Sequence, residues 1–179
     1  MISDFVKGKK QYDYDAIIQK GIRLHREIDS FTDEHPITKE MKSVFKPFYG
    51  LYAGAFADIV YDHFLANDET YFENPSALEA FTLKTYQQLD MQITITPPIF
   101  QQMFPSMKNY NWLFNYRNET GIEKSFEGMV KRAKYMNDPS PAYKIFLSNK
   151  RKMQMLYDQF FPLLKNHAAS ALQQLLNVD

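Results

Sequence analysis

GIRLHREIDSFTDEHP, residues 21–36, decides the fold, because its apolar and polar positions recur at helical spacing and end on a proline. Successive residues of an α-helix turn by about 100°. With His25 at zero, Ile18 falls about 20° away, Ile22 about 60° and Ile28 about 60° on the opposite side. Asp29 lies about 40° round, so His25 and Asp29 are expected within the apolar stripe rather than on its wet edge. A second stretch, VYDHFL at 60–65, repeats the pattern. Phe56, Tyr52, Ile59 and Val60 surround His63, and Asp62 stands at the stripe's margin beside Asp58.

Working outward, the chain is helical nearly throughout. A short N-terminal segment ends near Gly8 and a first helix runs from Tyr14 to Phe31, with Asp13 as N-cap. Pro36 opens a second helix, which Pro47 and Gly50 end, and Leu51 to Ala66 form a third. Asn74-Pro75 and Thr96-Pro97 open a fourth and a fifth, and Asn118 caps a sixth that continues through Lys134. Ser140-Pro141 begins a last long segment that Pro162 is expected to kink or split. ITIT at 93–96 alternates like a strand but has no evident partner. The expectation is an all-α, single-domain helical bundle over 1–179.

Composition narrows the function. Lys+Arg 21 balance Asp+Glu 21, so no global field steers the chain to nucleic acid or to a membrane. The absence of cysteine excludes disulfides, thiolate zinc sites and cysteine nucleophiles. No run of apolar residues is long enough to span a bilayer, and MISDFVKGKK lacks the apolar core of a signal peptide, so a cytoplasmic protein is expected. Charge is nevertheless uneven. Residues 50–100 carry seven acids and one lysine, whereas residues 121–165 carry nine Lys/Arg and four acids. That basic region reads as a solvated face or as a docking surface for an acidic partner.

Two helices that each turn a histidine and an aspartate inward raise two readings. One is a pair of internal hydrogen bonds. The other is a divalent cation, which satisfies several carboxylates at once and, with imidazole present, suits Mn, Fe or Zn better than Ca. Asp4, between Ile2 and Phe5, is a further contributor. His35, before Pro36, reads as a turn residue and His167 as structural or exposed. Trp112 and the Tyr110–Tyr116 cluster read as core, with the lining of a channel as the alternative.

SDFVKG, then GIRLHREIDSFTDEHP, then YDHFL, with NYNWLFNYR, FEGMVKR and YDQFFP downstream in order, resembles the acyl carrier protein phosphodiesterases over nearly the whole chain. The resemblance implies an HD-domain-like helical fold, a divalent metal that is Mn²⁺ by preference (Mg²⁺, Fe²⁺ or Zn²⁺ otherwise), and holo-acyl carrier protein as partner. The implied reaction is hydrolysis of the phosphodiester between 4′-phosphopantetheine and the carrier's serine. Carried over by position, Asp4, His25, Asp29, Asp62 and His63 are the implied metal centre, with Asp29 and Asp62 also candidates for the base. Arg26 is the candidate for a phosphate oxygen, because its planar fork suits phosphate. Such carriers are small and acidic. Arg117, Lys131, Arg132, Lys134, Lys150, Arg151 and Lys152 are therefore the expected docking residues. Family members open with a further short helix of pattern NFLAHL, which this chain is expected to lack. The competing expectations are an HD-type nucleotide phosphohydrolase and a non-catalytic helical interaction module.

Overall fold

The structure, a computed structural model, describes residues 2–133, 135–136 and 138–177. Among them there are α-helices and 3₁₀ turns and no strand, so the fold is all-α. Two 3₁₀ turns, Ser3–Phe5 and Gly8–Asp13, lead into α1 (Ala16–Glu34). Then follow α2 (Pro36–Tyr49), α3 (Ala53–Ala66), α4 (Pro75–Met91), α5 (Pro98–Asn109), α6 (Trp112–Asn115), α7 (Glu119–Arg132) and α8 (Ser140–Asn177).

The helix boundaries have local causes. Asp13 does not cap α1; it ends the second 3₁₀ turn, and Asp15 takes the N-cap position with its carbonyl accepting from Ile18 and Gln19. Pro36 forces His35 out of the helical region, which ends α1, and the His35 Nδ1 then accepts from Ile37 N to start α2. Gly50 follows α2 with φ +52°, a conformation that favours glycine. Asn74 caps α4 through Ala77 N at 3.0 Å. ITIT is no strand: Ile93–Ile95 is a 3₁₀ turn between α4 and α5.

Pro162 neither ends nor splits α8, which runs unbroken over 38 residues. Its own position is exposed, so the carbonyl it leaves unpaired faces water. Burial on both sides holds the helix together. Phe160 packs between Phe31, His35 and Tyr61, and beyond the proline the ring of His167 stacks on Phe31 at 4.1 Å.

Two apolar clusters result. The larger joins α2, α3, α7 and α8 through Phe45, Phe56, Phe126 and Phe146, with Phe45–Phe56 and Phe56–Phe126 centroids 5.2 and 5.3 Å apart. The smaller joins α4 and α5 through Tyr86, Phe100, Phe104 and Met107, with Phe5 and Trp112 at its edge. The short α6 bridges them: Leu113 N donates to the Tyr86 hydroxyl at 3.0 Å, and the carbonyl of Tyr116, which follows α6, accepts from His63 of α3. At Gly121 a Cβ would overlap the Asn115 carbonyl, so only glycine lets α7 start this close to α6. The seam between the clusters is left open, and the candidate site lies there.

Candidate active site

Asp4, His25 and Asp29 come together although they arise from separate elements. Each offers one donor atom, and these atoms lie within 4.8 Å of one another. His25 and Asp29 share one face of α1, with His25 Nδ1 2.8 Å from Asp29 Oδ2. Asp4 arrives from the first 3₁₀ turn, which is seated by Phe5 against Phe100 and by burial of Val6. The α1 stripe is shallower than its periodicity suggests. Only Ile22 is fully buried, while the side chains of His25 and Asp29 keep 31% and 51% of their exposure. The cause is position, since α1 is a peripheral helix that packs mainly on α8.

Beside this cluster opens a cavity of about 680 Å³. Asp4 belongs to its wall, as do Asp58 and Asp62 from α3. Lys124, Met129 and Arg132 of α7 line it as well. Tyr110, Trp112 and Tyr116 also line this space, so the aromatic cluster forms cavity wall, with Trp112 at the edge of the smaller apolar cluster as well. The two α3 carboxylates stand at i and i+4 and point the same way. Burial pushes Asp58 up to about 6, helped by the negative charges of Asp33, Asp29 and Asp4 and opposed by Lys42. Burial pushes Asp62 up to about 7, with the Asp58 charge adding to it. Protein packed around the two carboxyls strips part of their water, which raises these values although both side chains keep an opening to the cavity. A crowd of acids that resists full ionisation is an environment a cation relieves.

His63 is fully buried, but its ring is held elsewhere. Nδ1 donates to the Tyr116 carbonyl at 2.7 Å and the ring edge meets Phe146 at 5.3 Å. Burial lowers its pKa, which keeps it neutral, and Lys150 adds to that. The Asn67 amide reinforces the link by donating to the carbonyls of His63 and Arg117 at 2.8 and 3.0 Å. Among the described residues His63 is not part of the donor cluster with His25; it ties α3 to the turn that carries Tyr116.

Arg26 is also committed to structure. Its guanidinium donates to Gln11 Oε1 and to the Val6 carbonyl, each at 2.6 Å, and so fastens the N-terminal segment across α1. The expected docking residues divide. Lys150 pairs with Glu119 at 2.8 Å and Lys152 with Glu40 at 2.9 Å, while Arg117 lies over Phe114. Arg132 turns into the cavity, with its Cζ 6.0 Å from the Trp112 ring centre. Lys131 and Arg151 are exposed, and Lys134 lies outside the described residues. Asp58 was missed in the sequence reading as a site residue, although its spacing from Asp62 is the signal that finds it.

Comparison with known proteins fits this arrangement. The family model described as acyl carrier protein phosphodiesterase matches residues 1–164. A Photorhabdus laumondii protein of that name is 28% identical over 94% of this chain and 85% of its own length. One from Serratia proteamaculans is 26% identical over 94% and 87%, and one from Klebsiella pneumoniae strain 342 is 31% identical over 74% and 68%. No solved structure matches. No helix among the described residues is long and apolar enough to cross a membrane.

Proposed function

The chain belongs to the acyl carrier protein phosphodiesterase family, and from that premise we propose that it hydrolyses the phosphodiester joining 4′-phosphopantetheine to the serine of a holo-acyl carrier protein, yielding apo-carrier. One observation carries the reading: an imidazole and two carboxylates converge beside a cavity that Asp4 shares and that further carboxylates and cations line.

The donor set fits a divalent cation. One nitrogen and carboxylate oxygens within 4.8 Å suit Mn²⁺, Fe²⁺ or Zn²⁺, and the nearby negative charge of Asp58 and Asp62 favours any cation. Asp4, His25 and Asp29 are the residues that would hold it, with Mn²⁺ the first choice. When bound, the cation supplies charge neutralisation for a phosphodiester and acidification of water near it.

The chain's own groups account for the proton. A carboxylate near 7 suits a general base at neutral pH, so Asp62 accepts the proton of the attacking water. As the new P–O bond forms, the bond to the serine oxygen breaks, and the proton held by Asp62 is returned to that oxygen. Asp58 keeps Asp62 basic by repulsion. The acidic carrier docks on exposed cations, Lys131 on α7 and Arg151 on α8.

The deciding experiment incubates chelator-stripped protein with holo-carrier, with and without added Mn²⁺, and reads carrier mass. Metal-dependent appearance of apo-carrier with free phosphopantetheine is expected. Carrier that keeps its arm in the presence of metal refutes the reading.

A further inference from the structure

A phosphodiester entering this cavity needs a cationic partner, and Arg26 is not among the residues that line it and already gives two of its donors to Gln11 and Val6. Arg132 is placed differently. Among the described residues its guanidinium has no ion pair or hydrogen bond, and its one ring contact is with Trp112. Gly128, one turn earlier, makes room for it: a Cβ there would stand 3.3 Å from Arg132 Nη1. The absence of a side chain at 128 lets the guanidinium lie back along α7 over the cavity wall. Lys124, two turns before Arg132, lines the same wall. Asp4, Asp58 and Asp62 line the cavity too. It therefore carries carboxylates from the first 3₁₀ turn and α3, cations from α7, and apolar surface from Trp112 and Met129.

A ligand that matches all of this has an anionic phosphate and, joined to it, an uncharged flexible chain. The five fixed donors of arginine suit a phosphate oxygen pair, and an indole face suits a neutral amide or methylene chain. We infer that Arg132, supported by Lys124, is the phosphate-binding residue of the cavity and that Trp112 receives the neutral arm next to that phosphate. The inference rests on the hydrolase reading and names the subsite within it. It also moves Arg132 from the docking surface, where charge alone sets encounter, to the reacting group itself.

Trp112 is the only tryptophan in the chain, so its fluorescence reports on the cavity wall without a label. The full-length protein is titrated with phosphopantetheine and, separately, with pantetheine, which lacks the phosphate. Both are repeated with R132Q and R132K. Saturable fluorescence change is expected with both ligands on the unmodified protein. R132Q weakens phosphopantetheine by about tenfold and leaves pantetheine unchanged, and R132K falls between, because a lysine keeps the charge and loses the fork. If R132Q leaves phosphopantetheine affinity unchanged while the unmodified protein still cleaves holo-carrier, the subsite is overturned and the hydrolase reading stands. A variant that only raises KM for holo-carrier and flattens its salt dependence returns Arg132 to docking and likewise overturns it. If the unmodified protein neither cleaves holo-carrier nor responds to phosphopantetheine, the hydrolase reading falls and the subsite with it.

Discussion

His63 Nδ1 lies 2.7 Å from the backbone carbonyl of Tyr116, so a buried imidazole on α3 anchors the turn that supplies an aromatic wall of the cavity. The bond joins parts of the chain 53 residues apart. Replacing His63 with alanine leaves that carbonyl without its donor and a void beside Phe146. The expected cost is about 1–3 kcal/mol of stability, read from urea midpoints, with Mn²⁺ affinity unchanged. Loss of Mn²⁺ binding at full stability would instead make His63 a ligand.

His25→Ala and Asp4→Asn act on the donor cluster directly. Both positions are at least partly exposed, so the fold should tolerate them. Calorimetric titration should show Mn²⁺ affinity lowered by about 100-fold or more, with carrier cleavage falling in parallel. Unchanged Mn²⁺ titration in both variants would remove this cluster as the metal centre.

The Asp62 carboxyl ties stability to pH. Its folded pKa, about 7, stands above its ordinary value of 3.8, so the native state holds the proton more tightly than the unfolded chain. The stability this supplies is fully present below 3.8 and is lost as pH rises through about 7. Metal-free wild type should therefore lose stability relative to Asp62→Asn between about pH 4 and 7, with no further change above about 8. A difference in urea midpoints that stays flat across this range would show that Asp62 titrates normally.

Gly121→Ala forces a Cβ into the Asn115 carbonyl and pushes α7 away from α6. The melting temperature should fall, by the equivalent of about 1–3 kcal/mol or more. Gly54→Ala is the control: its Cβ would meet only Lys42 Cε at 3.5 Å, an ordinary contact, and should be near neutral. Equal effects at the two glycines would rule out close approach as the cause.

Charge reversal at the docking surface should alter encounter and spare the chemistry. Lys131→Glu with Arg151→Glu is expected to raise KM for holo-carrier severalfold, to flatten its dependence on salt, and to leave kcat nearly unchanged. An unaltered salt profile would mean that the carrier docks on another face.

Much of the fold is written in local chemistry. Pro36 and Asn74-Pro75 each mark a helix start that the structure reproduces, because proline and asparagine act on backbone groups within a turn or two of themselves; Asn118 also stands at the start of α7, but its side chain bonds Asn115 instead. α6 escapes such reading, since four residues make too little periodicity, and its place depends on Tyr86 and His63 far away in the chain. The same limit explains His63. A helical wheel finds that it points inward, but not whether the group it meets is an ion or a carbonyl. For His25 the wheel ranks faces within one helix and cannot tell that α1 lies at the periphery. Pro162 was expected to kink or split α8; it does not split it, because burial on either side outweighs one lost bond.

The two bonds from Arg26, with Phe5 lodged on Phe100, hold Asp4 in place through a strap rather than a rigid rod. Under the proposed metal reading, an ion needing Asp4 would bind only the fraction of molecules in which this strap is fastened, so its apparent dissociation constant would be the intrinsic one divided by that fraction. Retention of such an ion would then depend on Gln11 and Val6, neither of which offers it a side-chain donor in the cluster: loosening the buckle would leak the ion while every ligand atom stayed intact.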